Sequence, residues 1–279
     1  MPVDPAVIKK IVRENFNKSA ELYEQFEEEY GLFSFLTVQL AESCDVQKGM
    51  KVADIGCGTG ISCFILQNIV GTEGTVTGVD PSEKMLEIAV SKLKNTENSR
   101  MKFVHGDGSN FNTLIDSTMN AVLYNATIFL IPDPLETLKV AHETLEENGI
   151  VGMNYLMGLY SDDTEKAGDS GPITDLFLQA KQAGKDFAPY GRIITDGKVL
   201  PRVLVEIGFK NIREGILVKK MAVDEMKAFY SIPAQSAGLW PRHDYEERLS
   251  LLDSLVEYFQ EKGISAYYQN WGWCSAIKM

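Results

Sequence analysis

The sequence predicts an open, doubly wound α/β sheet of mostly parallel strands. Three observations carry that expectation. Short apolar runs alternate with amphipathic stretches from Lys51 to Leu156, the pattern of repeated βαβ units. The later amphipathic stretches repeat apolar residues at three-to-four spacing, as helices covering a sheet do. The first apolar run ends in a glycine turn, which belongs at the carboxyl end of a strand where the winding reverses and ligands bind.

Taken in order, residues 1–48 are helical by periodicity and precede the first strand, so they form an expected N-terminal lid segment. The first run, "KVADI", is followed by the helical stretch "GISCFILQNIVG". "TVTGVD" leads into "SEKMLEIAVSKLKN", and "MKFVHGD" and "NAVLYNA" are the third and fourth strands. "DPLETLKVAHETLEENG" reads as a helix that stops at Asn148 and Gly149, before the fifth strand "GIVGMNYL". Residues 158–197 form an expected insertion, opening on a Gly, Ser and Asp-rich loop. "GKVLPRVLVEIGF" predicts another covering helix and "KNIREGILVKK" another strand, which closes a core of residues 49–220. Residues 221–270 are expected as a helical cap over the crevice, and residues 271–279 as the closing strand, aromatic and alternating in character.

Composition excludes several classes. The net charge is −12, from 27 Lys plus Arg against 39 Asp plus Glu. Without a local basic run, that charge would repel a phosphate backbone, so nucleic acid is not an expected partner. No apolar run is long enough to cross a bilayer. The first residues lack the apolar stretch and cleavage site of a secretory leader. Cys44, Cys57, Cys63 and Cys274 lack zinc-site spacing and are too few to staple the chain; they read as reduced thiols of a cytoplasmic protein, and no metal site is expected.

The chemistry concentrates in "KVADIGCGTGIS". Gly56, Gly58 and Gly60 allow a tight strand-to-helix turn and close approach of a ligand to main-chain N–H groups. Their G-x-G-x-G spacing departs from the G-x-G-x-x-G of dinucleotide sites. Asp54, two residues before the first glycine, would oppose a pyrophosphate but favours a ligand carrying an ammonium and a sulfonium, which points to S-adenosylmethionine. Asp80, ending the second strand, can accept two hydrogen bonds from a ribose diol, each worth about 1.5–3 kcal/mol to a charged group. That role fits any adenosine ligand, nicotinamide cofactors included. Asp107 in "HGDG" can meet an adenine amino group, and Asn125 ends the fourth strand at the crevice edge.

The ordered set "VADIGCGTG", "VTGVDPSEKML", "FVHGDGSNF", "NAVLYNATIFLI" and "LEENGIVGMNYL" resembles the class I S-adenosylmethionine-dependent methyltransferases, small-molecule branch, similar to those of ubiquinone and menaquinone biosynthesis. The resemblance covers residues 16–157, then only "IGFKNI" and the closing strand. It implies a Rossmann-like sheet of seven strands with the last antiparallel, and methyl transfer to a small acceptor. By position it also implies Asp54 near the methionine amino group and Gly56, Cys57, Gly58 and Gly60 along methionine and ribose. Asp80 would bind the ribose, Pro81 or Met85 would pack near adenine, Asp107 and Gly108 would flank the adenine edge, and Asn125 would contact the methionine portion. Tyr23 matches a tyrosine that such enzymes place over the cofactor. The fourth strand ends in "LYNATIFLIPD", without the histidine or paired polar residues of many relatives, so no catalytic residue and no acceptor are implied.

Two other readings use the same residues: a nicotinamide-dependent oxidoreductase, which the loop spacing and Asp54 oppose, and a non-catalytic S-adenosylmethionine-binding module. His105 reads as a packed strand residue beside the adenine pocket, and His142 as solvated. His243, with Trp240, Arg242, Asp244 and Tyr245, reads as serving a helix start rather than an acceptor pocket. Tyr160, Tyr190 and Trp271 are candidates for the crevice that the sequence does not place. Oligomeric state is not legible.

Overall fold

Four consecutive residues, Val52 to Ile55, are buried along strand β1 (Lys51–Ile55), as a strand covered on both faces requires. The computed structural model describes residues 4–96, 100–115, 117–156, 199–241, 243–261, 263 and 265–279. The insertion expected at 158–197, with Tyr160 and Tyr190, lies outside the described residues.

Two helices precede β1. Helix α1 (Pro5–Tyr30) is capped by the Asp4 carboxylate and ends at Gly31, whose φ of 62° reverses the chain into α2 (Leu32–Ser43). The Glu27 carboxylate accepts from the Phe33 and Ser34 N–H groups, both at 2.8 Å, and so satisfies the open start of α2. After β1 come α3 (Ile61–Val70), β2 (Thr75–Asp80), α4 (Glu83–Lys94), β3 (Met101–His105), β4 (Met119–Tyr124) and α5 (Pro134–Thr144). The chain continues as β5 (Leu145–Leu156), then α6 (Val199–Ile207), β6 (Phe209–Ala222), α7 (Val223–Ser231), α8 (Pro233–Leu239), α9 (Tyr245–Glu261) and β7 (Ala266–Lys278).

The seven strands are ordered β3-β2-β1-β4-β5-β7-β6, and β7 runs antiparallel to both neighbours. This is the doubly wound sheet that the sequence pattern predicts, with the antiparallel last strand that the family resemblance implies. β1 pairs in parallel with β2 on one side and β4 on the other, so the winding reverses between β1 and β4. One face is packed by α5 and α6, around Tyr124, Leu138, Val151 and Leu204. The other is packed by α2, α3 and α4, around Leu40, Val52, Leu66 and Leu86. A third apolar cluster joins α1, α2 and α7 to α9 to Leu156 and Trp271.

Several expectations are corrected. Helix α5 stops at Thr144, not at Asn148: Leu145 is already extended, with ψ of 142°, and pairs with Met119. Asn148, at φ 65°, marks an irregular entry to β5, where the register shifts between Met119 and Ala121. The cap helices occupy Val223 to Glu261, while β6 reaches Ala222 and β7 starts at Ala266 rather than at 271. The two strands pair over that whole length, and their ladder draws in residues assigned by periodicity to the cap. His105 is exposed, with Nε2 3.1 Å from the Pro81 carbonyl, because β3 is an edge strand. His142 is half-buried, its ring edge-on to Phe209 at 4.9 Å, since α6 and β6 close over α5.

Candidate functional site

β1 delivers Asp54 to the switch point, and the chain turns there through three glycines in the left-handed region, at φ 78°, 55° and 87° for Gly56, Gly58 and Gly60. A Cβ on Gly56 would fall 2.2 Å from the Thr127 side chain, and one on Gly60 would fall 2.7 Å from the Phe103 ring, so both positions need glycine for packing. Gly58 differs: the nearest atom to its Cβ would be the Tyr23 ring at 3.8 Å, which leaves space for a ligand against the backbone.

A cavity of about 400 Å³ opens beside this turn. Of the residues singled out from sequence, Tyr23, Gly56, Gly58, Asp80, Pro81, Met85, Asp107, Gly108 and Asn125 line it. Asp54, Cys57 and Gly60 stand behind that wall. Cys57 turns its thiol into the core, where its sulfur and that of Cys63 crowd the position a Cβ on Gly78 would take. Burial pushes the Cys57 thiol up to about 11, so its side chain is packed and unreactive.

The carboxylates differ in their surroundings. Asp54 is fully buried; the Ser62 hydroxyl and the Cys63 thiol both donate to Oδ2, while Oδ1 has no partner among the described residues. Burial raises its pKa to about 6 against the lowering effect of those two donors. Asp80 accepts from the Gly58 N–H at Oδ2 and the Ser82 N–H at Oδ1, both at 2.8 Å, and burial raises it likewise to about 6. Asp107 is half-buried. There burial raises the pKa, but the Ser109 N–H and hydroxyl together with the Lys9 ammonium at 3.1 Å outweigh it, and the net shift is downward.

Asn125 has its amide committed to the scaffold. Its Nδ2 donates to Thr37 Oγ1 at 2.9 Å and to the Phe33 carbonyl at 3.3 Å, and its Oδ1 accepts from Asn154 Nδ2 at 2.8 Å. Asn154, fully buried, also accepts from the Ala126 N–H at 2.5 Å, holding that residue at φ 51°. Thr127 follows, donating to the Asn125 carbonyl with its methyl against Gly56. Tyr23 lies stacked on Phe33, with ring centroids 4.6 Å apart. Burial, followed by the charges of Glu27, Asp80 and Asp54, keeps its phenol protonated well above the usual range.

Sequence reasoning expected an N-terminal lid and singled out Tyr23 on α1, but not the other residues with which that helix lines the cavity. Ala6, Lys9, Arg13 and Phe16 line the cavity at three-to-four spacing, a signal present in the sequence and not used. It also missed Thr127 and Phe129, which directly follow the strand end that Asn125 marks. Trp271 lines the cavity as well, and it and Leu156 close the side under α7 and α8. His243 contacts Glu247 on α9, and Asp244 caps that helix by accepting from the Glu247 N–H at 2.9 Å, as expected of a helix start.

Residues 46–187, just over half of the chain, match a family model described as a methyltransferase domain. A demethylmenaquinone methyltransferase of Staphylococcus epidermidis is 38% identical over 107 residues, which are 38% of this chain and 43% of that protein. The chain therefore spans less than half the length of the curated relatives it matches. Among solved structures, the YcgJ protein of Bacillus subtilis aligns with a TM-score of 0.60 at 13% identity, over 88% of this chain and 98% of that one. A Haemonchus contortus phosphoethanolamine N-methyltransferase 2 in complex with S-adenosyl-L-methionine aligns at 0.53 and 16% identity, over 87% of this chain and 52% of that one. At such identities the structural likeness concerns the fold.

Proposed function

Since the chain belongs to the methyltransferase domain family, we propose that it is an S-adenosylmethionine-dependent methyltransferase acting on a small, partly apolar molecule. One observation carries the reading: an open glycine, Gly58, lies between the Asp80 carboxylate and the Tyr23 ring on the cavity wall, with the unpaired Asp54 oxygen buried behind the turn.

The residues present fit that cofactor. Asp54 has an orphaned, fully buried oxygen whose charge favours a cation nearby and disfavours a diphosphate. Each Asp80 oxygen spends one acceptor site on a backbone N–H and keeps capacity for the ribose hydroxyls. Asp107, held ionised by Lys9 and Ser109, can accept from the adenine amino group, with Gly108 and Met85 beside it. Asn125 and Asn154 fix the Ala126 turn that borders the methionine portion. Bound S-adenosylmethionine would supply a carbon already activated by its sulfonium for in-line displacement.

What the chain contributes is alignment and exclusion of water. Phe33, Phe129, Leu156, Phe229, Leu239 and Trp271 wall the rest of the cavity and hold an apolar acceptor beside the glycine turn. Holding two reactants in attack geometry supplies about 7–11 kcal/mol of the barrier. The burial of all four cysteines as free thiols supports a reducing, cytoplasmic setting.

Isothermal titration with S-adenosylmethionine, S-adenosylhomocysteine and NADH tests the reading. We expect the first two to bind and NADH not to bind; binding of NADH alone would contradict it. Asp80→Ala should weaken S-adenosylmethionine at least tenfold with the fold retained by circular dichroism, and unchanged affinity would place the ribose elsewhere.

A further inference from the structure

The cap contributes Phe229, Tyr230, Ala234, Gln235, Gly238 and Leu239 to the cavity wall. Gln235 alone among these six carries a side-chain amide. That amide, with two donors and one acceptor oxygen, makes no hydrogen bond among the described residues, while the Gln235 N–H is used by the Ile232 carbonyl at 3.0 Å. Its backbone is fixed from both sides: the Ser19 hydroxyl of α1 accepts from the neighbouring Ala234 N–H at 2.9 Å, and the Tyr245 hydroxyl of α9 donates to the Ser231 carbonyl at 2.5 Å. The apolar side chains of Phe129, Leu156 and Trp271 line the same cavity, as do Arg13 and Asn15 of α1. The carboxylates and the glycine turn belong to β1, β2 and β3, at the other side of the sheet order.

We propose that Gln235 determines acceptor specificity, by pairing with an uncharged hydroxyl or carbonyl on an otherwise apolar methyl acceptor. This rests on the methyltransferase reading of the same cavity. An acceptor that covers the amide without pairing leaves a polar group orphaned, whereas one that pairs with it does not. Sites built this way reject analogues that lack the hydrogen-bonding group more strongly than apolar pockets reject a missing methyl. The amide itself, being neutral, offers a charged group no countercharge.

The test uses a shape-matched pair, 4-ethylphenol and 4-ethyltoluene, titrated into the full chain saturated with S-adenosylhomocysteine. The wild type should bind the phenol about tenfold more tightly. In Gln235→Met and Gln235→Leu the preference should fall below about twofold, while S-adenosylhomocysteine affinity and melting temperature stay unchanged. Equal binding of the two probes by the wild type, binding of neither, or a preference that survives both substitutions would overturn the proposal. Failure of the wild type to bind S-adenosylhomocysteine at all would instead overturn the methyltransferase reading beneath it.

Discussion

Asp80 and Asp54 carry pKa values pushed from 3.8 up to about 6 by burial, and this sets two opposite responses to pH. In the ligand-free protein the raised folded-state values mean that ionisation costs stability above pH 6. That cost fades as pH falls through 6 toward the ordinary carboxylate range, so these two groups favour folding at lower pH. Asp107 works the other way, its depressed pKa contributing stability that is lost as pH falls. Cation binding needs the ionised carboxylates, so S-adenosylmethionine affinity should be flat above pH 7 and about tenfold weaker at pH 5 for each group that must ionise. Titration calorimetry across that range checks it, and Asp80→Asn should flatten its share of the profile. The glycines separate in the same fashion. Gly56→Ala drives a Cβ into Thr127 at positive φ and should cost about 2–4 kcal/mol by urea unfolding. Gly58→Ala, with open space around it, should cost about 1 kcal/mol yet weaken S-adenosylmethionine, because the ligand's approach is what it blocks.

At the scale of elements, the ends of β4 and β5 and the start of α2 are tied into one unit by two buried amides. Asn154→Leu would leave the Ala126 N–H and the Asn125 Oδ1 unpaired, and is expected to destabilise by about 2–4 kcal/mol in urea denaturation. Asn112→Ala, which loses only an exposed contact to Glu143, should stay within about 0.5 kcal/mol of the wild type. This tie explains what was legible beforehand. Strand ends carrying Asp54, Asp80 and Asp107 could be read because residue type and position after an apolar run mark a crevice. The use of Asn125 as a brace could not, because its partners Phe33 and Thr37 lie about ninety residues earlier and meet it only after the sheet and α2 pack. The end of α5 was misread for a similar reason: Asn148 and Gly149 carry a helix-stop signature, but pairing with β4 had already claimed Leu145.

At the scale of the molecule, one cavity joins residues marked by local sequence signals to residues brought in by distant segments. The glycine turn and its acidic neighbours come from about fifty consecutive residues. The rest of the wall is assembled from α1, α2, α7 and α8 with Leu156 of β5 and Trp271 of β7, segments far apart in the chain. Fold class and cofactor chemistry were therefore readable, while the rest of the cavity wall depended on long-range packing. The central claim is that this cleft is charged for a sulfonium donor. A crystal structure of the chain grown with S-adenosylhomocysteine tests it most directly. The account predicts the ribose on Asp80, the adenine beside Asp107 and the amino acid portion against Gly58. Density for the ligand away from this turn, or an empty cleft at saturating ligand, would contradict it.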